Sequence, residues 1–150
     1  MAKILEKIIT YTDGGSRGNP GPAALGVVIQ NSKGETIKMF GETLGVRTNN
    51  EAEYAAIVAA LKKVKALFGK NKIKNMEVEM RMDSELAMKQ LNGIYKVENE
   101  KIFPAYISIL NYKLDFGKIT FHHIPREKNK EADRMVNEAL DGKESGNLFG

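Results

Sequence analysis

The sequence predicts an α/β fold: a mixed five-stranded sheet, built as an antiparallel meander of three strands plus two parallel strands, flanked by helices. Three observations predict it. Short apolar runs separated by glycine- and asparagine-rich turns fill the first third of the chain. A helical stripe follows, Ile57, Leu61, Val64 and Phe68, at spacings of four, three and four. Residues 75–83 then alternate strictly, with Met76, Val78, Met80 and Met82 on one side and Glu77, Glu79, Arg81 and Asp83 on the other. A meander that gives way to helix crossovers builds a mixed sheet covered by helices.

Taken in order, Ile4-Leu5 and Ile8-Ile9 predict a first strand that ends at Asp13. The glycine-rich segment after it can turn sharply and bring bare backbone close to a ligand. No Gly-Lys-Ser/Thr follows, so it is not a phosphate-cradling P-loop. Residues 23–30 predict the second strand and residues 35–44 the third, joined by a turn at residues 31–34. Thr48, Asn49 and Asn50 offer capping side chains for the first helix, which Gly69 closes. After the fourth strand, a short helix spans residues 86–91. A longer helix is predicted over residues 99–116, with Ile102, Tyr106, Ile109, Leu110 and Leu114 on its stripe. Pro104 is tolerated only in its first turn. Residues 118–124 predict the fifth strand, 125–129 a basic loop and 130–140 the last helix. Residues 1–141 read as one domain and residues 142–150 as a flexible tail.

The bulk numbers fit this picture. The chain has 150 residues, 42% hydrophobic and 28% charged, which suits one globular domain. No apolar run is long enough to span a membrane, and Met1-Ala2-Lys3 leads into a strand pattern, not a signal peptide. The absence of cysteine excludes disulfides and cysteine-based zinc sites. It matches a reducing compartment, and a cytoplasmic monomer is expected. A net charge of +4 is compatible with a polyanionic partner.

Four acids fall at element ends: Asp13 after the first strand, Glu53 in the first turn of the first helix, Asp83 after the fourth strand, and Asp133 in the first turn of the last helix. Each alone reads equally well as a turn or capping residue. Glu53, however, lies on the apolar stripe one turn before Ile57, where a carboxylate is costly unless something pairs with it. The alternative for Glu53 is a capping or dipole role. Together the four form a convergent cluster that repels itself and titrates as a coupled set. Hard divalent cations, Mg²⁺ or Mn²⁺, are the natural compensation. Two such ions, one activating a water and one stabilising a leaving oxygen, suit in-line phosphoryl chemistry.

The segments Thr12-Asp13-Gly14-Gly15-Ser16 with Gly18-Asn19-Pro20-Gly21, Thr48-Asn49-Asn50-Glu51-Ala52-Glu53, Met82-Asp83-Ser84 and Asn129-Lys130-Glu131-Ala132-Asp133 resemble ribonuclease H type 1, in order and in element type. The resemblance implies the RNase H-like fold and endonucleolytic hydrolysis of the RNA strand of RNA–DNA hybrids by two metal ions. The products would carry 5′-phosphate and 3′-hydroxyl ends. It implies two Mg²⁺ ions, with Mn²⁺ as a substitute, held by Asp13, Glu53, Asp83 and Asp133. Glu53 would also touch the ribose 2′-OH. Gly14, Gly15, Ser16, Asn19, Asn49 and Asn50 would line the minor groove, with Thr48 and Asn99 at phosphates. Neutral amides and close backbone are the groups that read a 2′-OH. Double-stranded RNA is left open as a further partner.

The chain departs from the family pattern in three respects. The region where many members carry a basic, tryptophan-rich protrusion is here short (residues 93–101), and the chain has no tryptophan, so the subset lacking the protrusion is the closer match. No separate N-terminal hybrid-binding domain is expected. The auxiliary residue of the mobile loop is either His123, at the right count from Asp133, or Arg126, within the loop; Arg126 is favoured, and a packed strand histidine is the alternative for His122 and His123. The basic run from Lys62 to Lys74 reads as a solvated helix end. The rival readings are a non-catalytic hybrid- or RNA-binding module, against which the four acids argue, and another nuclease of the RNase H-like superfamily.

Overall fold

The computed structural model describes residues 5–142. The predicted tail beyond Gly142, and Ile4 of the predicted first strand, lie outside the described residues. The five strands are β1 (Glu6–Ser16), β2 (Gly21–Asn31), β3 (Thr36–Arg47), β4 (Met76–Met82) and β5 (Lys118–His123). They form one sheet in the order β3-β2-β1-β4-β5. The first three are antiparallel, and β4 and β5 add in parallel beside β1. The helices are α1 (Asn49–Phe68), α2 (Lys70–Ile73), α3 (Glu85–Leu91), α4 (Phe103–Asp115) and α5 (Lys130–Leu140). No described helix is long and apolar enough to cross a membrane.

Helix α1 packs on β1 and β2 with α4 behind it, while α5 covers β2, β3 and β1 from the other face. The larger core lies under α1, where Ile57, Leu61 and Val64 meet Ile8, Val27, Val78 and Met80, all buried. Burial of each large aliphatic side chain contributes roughly 1.5–3 kcal/mol. This stripe, more than helix propensity, holds α1 to the sheet. The alternation of β4 appears as predicted, with Met76, Val78, Met80 and Met82 fully buried.

Two row positions let α5 lie almost on the backbone. Asp13 pairs with Gly26, and Gly26 with Gly41, so the three residues form one row across the sheet. A Cβ on Gly26 would stand 2.1 Å from the Ala132 carbonyl oxygen, and one on Gly41 would stand 2.4 Å from that of Met135. The close approach brings the first turn of α5, with Asp133, beside Asp13.

Three expectations are corrected. Strand β1 does not end at Asp13; it stays paired with β2 through Ser16 opposite Ala23, and only its pairing with β4 stops, at Thr12 opposite Met82. The turn therefore lies later, at residues 17–20. Glu53 is the fifth residue of α1 and so sits in its second turn. The long helix begins as a 3₁₀ turn, Glu100–Ile102, with Pro104 in the first turn of α4 as required. Its inner face is Ile102, Ala105, Tyr106, Ile109 and Tyr112, whereas Leu110 is 40% and Leu114 is 86% exposed.

Candidate active site

Asp13 and Asp83 are neighbours because the two parallel strands β1 and β4 point the same way and each acid follows the last paired residue. Glu53 comes to them from α1. A Cβ on Gly14 would stand 2.2 Å from the Ala52 carbonyl carbon and 2.4 Å from the Glu53 nitrogen, so the missing side chain is what allows α1 to touch the β1 backbone there. One carboxylate oxygen each from Asp13, Glu53 and Asp83 lies within 4.8 Å of the others. Asp133 stands outside that group, exposed, with its side chain hydrogen-bonded to that of Asp13. With Asp13 and Glu53 it lines a cleft of about 360 Å³ that also includes Asn49, Arg17 and Arg126.

The electrostatics are those of a self-repelling cluster. Burial first, then the charges of Asp83 and Asp133, push the Asp13 carboxyl up to about 8, against the pull of the Gly14 N–H, which donates to Oδ1 at 3.0 Å. Burial, then Asp13 and Asp83, hold the Glu53 carboxyl well above its ordinary range, opposed by the Arg126 guanidinium and the Gly14 N–H. A raised carboxyl pKa means that the folded state keeps a proton the unfolded state has lost. The slope of stability with pH is therefore negative between the two pKa values. In chelator, the Asp13 contribution to the thermal midpoint should be fullest below about pH 4, fall as pH rises from there to about 8, and level off above it. Thermal melts across that range check this; a midpoint that rises steadily toward pH 8 is the contrary result.

The predicted groove residues form a hydrogen-bonded ledge beside the acids. Asn49 Oδ1 accepts from the Ser16 N–H (2.9 Å) and hydroxyl (3.0 Å), and the Asn49 N–H donates to Asn19 Oδ1 at 3.0 Å. The turn after β1 is thereby pinned to the start of α1. Gly15 and Ser16 line the cleft with Gly14. Thr48 caps α1, its Oγ1 accepting from the Glu51 N–H at 3.2 Å while Glu51 accepts from the Thr48 N–H at 3.0 Å. The capping role weighed for Glu53 thus belongs to Glu51. Asn50 and Asn99 line a second hollow with Gln90 and Tyr95, apart from the cleft. Asn99 also caps the 3₁₀ turn, accepting from the Lys101 N–H at 3.0 Å.

Arg126 opens a 3₁₀ turn after β5 and lines the cleft. His123 ends β5 opposite Met82 and does not line it. The packed reading of the two histidines is overturned, since both are exposed. His123 is in phase with the buried Ile119 and Phe121, but the core stops short of it.

Sequence reasoning missed Asn129 as a structural tie. Its side chain is buried, and Nδ2 donates to the Thr12 carbonyl at 2.9 Å, while its own carbonyl accepts from the Asp133 N–H at 3.1 Å. It holds the loop and α5 to β1 one residue before Asp13. The signal available was its place four residues ahead of Asp133, where an asparagine can serve a helix start.

A mixed sheet with acids gathered where the pairing of two adjacent parallel strands stops defines a class: α/β domains with a carboxylate cluster suited to a metal ion. The chain belongs to the reverse transcriptase-like family, whose sequence profile matches residues 11–139, and within it to the type 1 ribonucleases H. It is 47% identical to LC11-RNase H1, isolated from compost by a metagenomic approach and solved in complex with RNA/DNA hybrid. The two folds agree with a TM-score of 0.86, over 90% of this chain and 97% of that one. It is 38% identical to ribonuclease HI of Halobacterium salinarum over 90% of this chain, and 34% identical to the bifunctional protein Rv2228c of Mycobacterium tuberculosis over the same share. It spans 65% of the first protein's length and 36% of the second's.

Proposed function

We propose that this chain is an endoribonuclease that hydrolyses the RNA strand of RNA–DNA hybrids, leaving 5′-phosphate and 3′-hydroxyl ends. The observation that carries the reading is the set of three carboxylates within 4.8 Å of one another, beside a ledge of neutral amides and backbone N–H groups. A module that only bound hybrid would gain nothing from clustered negative charge facing phosphates.

The donor set fits a hard divalent cation. All its ligand atoms are carboxylate oxygens, and burial leaves two of the acids costly to ionise without a cation. Asp13, Glu53 and Asp83 would hold one ion, and Asp13 and Asp133 a second, with Mg²⁺ the physiological metal and Mn²⁺ its substitute. Bound there, such ions supply an activated water and neutralise charge on the leaving oxygen. The chain's own residues do the rest. Asn49, Asn19 and Ser16 face the minor groove, where amides can accept from or donate to a 2′-OH. Glu53 stands at the edge of that ledge, next to the scissile ribose. Arg126 meets a phosphate across the cleft. The enzyme acts as a monomer in the cytoplasm, with residues 1–141 as its catalytic domain.

The deciding test is cleavage of matched RNA–DNA, RNA–RNA and DNA–DNA duplexes with each metal. The expected result is metal-dependent cutting of the RNA in the hybrid; an intact hybrid with both metals overturns the reading. Within the same assay, Arg126→Ala should lower turnover and flatten the salt dependence of binding by a slope of about 0.9, the equivalent of one phosphate contact. His123→Ala should have the smaller effect. The reverse ranking would give the auxiliary role to the histidine.

A further inference from the structure

We infer that Asn137 is a positioning residue for Asp133, and that Arg17 anchors it from the turn that faces the cleft. The inference rests on the metal-dependent reading above. Asp133 is exposed and lies outside the tight group of three acids, and the buried partner of its carboxylate is the Asp13 carboxyl, itself an acid that repels it once both are charged. One turn further along α5, Asn137 Nδ2 donates to the Asp133 carbonyl at 3.1 Å and reaches its Oδ2 at 3.4 Å. The other end of the same amide accepts from Arg17 Nη2 at 3.5 Å. Arg17 is itself held by Asp141, whose Oδ1 accepts from Nη1 at 2.7 Å, and by its own N–H, which donates to the Pro22 carbonyl at 2.8 Å.

The chemistry of position 137 is specific. The amide offers a donor to a carboxylate and, from the same group, an acceptor to a guanidinium, at a reach that a Ser or Thr hydroxyl lacks. A carboxylate there would repel Asp133, and an aliphatic side chain would leave it free to rotate. Arg17, Asn137 and Asp133 all line the cleft. The turn that carries Arg17 also carries Asn19 and is pinned to α1 through Asn49. One chain of contacts therefore joins the amide ledge to the fourth acid. Groups that orient a metal-binding side chain typically change metal affinity or activity by 10–100-fold when removed. The contacts here are long and exposed, so the lower end, about tenfold, is expected.

The test is calorimetric titration of Mn²⁺ into the metal-free full chain, alongside kcat and KM on a labelled hybrid and thermal midpoints in chelator. Asn137→Ala should weaken Mn²⁺ binding about tenfold and lower kcat with KM little changed. Its midpoint in chelator should match the parent's, which a merely structural loss would not leave in place. Arg17→Ala should weaken Mn²⁺ binding in the same direction, and the double variant should lose less than the two single effects combined. Parent-like Mn²⁺ affinity in Asn137→Ala overturns the inference while leaving the proposed function standing. Parent-like affinity in Asp133→Asn overturns the assignment of Asp133 itself, and the inference with it. A parent that binds no Mn²⁺ marks failure of the metal-dependent reading.

Discussion

Asp13→Asn should remove nearly all hybrid cleavage, keep the fold and make the metal-free protein more stable. The amide is isosteric with the acid and can still accept the Gly14 N–H that reaches Oδ1 at 3.0 Å, so β1 keeps its local geometry there. What it loses is charge. Asp13 borders both the tight group with Glu53 and Asp83 and the exposed Asp133, so it has all three other acids as neighbours. A neutral ligand at that point weakens every ion the cluster could hold. The rate should fall by roughly a hundredfold or more, above the range seen for residues one layer further out. In chelator the sign reverses. The buried carboxyl, pushed up to about 8, carries a penalty for ionisation that the amide lacks. The variant's advantage in thermal midpoint should therefore grow as pH rises from about 4 to about 8. Retention of more than a tenth of the parent rate at saturating metal would remove Asp13 from the centre of the site.

Much of this arrangement was legible in residue patterns, and the misses share a cause. The alternation of Met76 to Met82 has a single reading because each buried residue is flanked by a charged one. Helix α5 was predicted over its observed span, its apolar positions Ala132, Met135, Val136 and Ala139 leaving one face to the sheet. The four acids stood out because they fall at element ends, with turn or capping chemistry beside three of them. Helix α4 was harder. It carries two apolar stripes, one through Ile102, Tyr106 and Ile109 and one through Phe103, Ile107, Leu110 and Leu114, and periodicity cannot say which faces the core. The role of Gly14 was hidden for a related reason. Its conformation is ordinary extended strand, and the demand for glycine comes from Ala52 and Glu53 on a helix distant in sequence. The same holds for the Gly26 and Gly41 pair under α5. Tertiary approach leaves no local signature. The capping box, by contrast, was readable in Thr48-Asn49-Asn50-Glu51. Which of Arg126 and His123 lines the cleft depends on where β5 leaves the core, which counting back from Asp133 does not reveal.

Gly14→Ala should be the most disruptive single-methyl change in the site, and its neighbour provides the control. The added Cβ would stand 2.2 Å from both the carbonyl carbon and the oxygen of Ala52, and 2.4 Å from the Glu53 nitrogen. These are backbone atoms in the second turn of α1, and no side-chain rotation can relieve them. Either β1 or α1 must move, and α1 is locked by the burial of Ile57, Leu61 and Val64. Overpacking of this kind costs about 1–3 kcal/mol, occasionally more. At the upper end of that range, a chain of this size loses roughly 6–12 °C in thermal midpoint. The displacement also carries Glu53 away from Asp13 and Asp83, so Mn²⁺ affinity should fall in whatever fraction stays folded. Gly15→Ala isolates the cause. Its Cβ would meet only Val136 Cγ1, at 3.8 Å, an ordinary contact, so its thermal midpoint should match the parent's. Conformational freedom cannot separate the two positions, since neither glycine has positive φ. A Gly14→Ala protein that melts with the parent would show that α1 has room to withdraw, and that the seating of Glu53 depends on something other than the bare backbone beneath it.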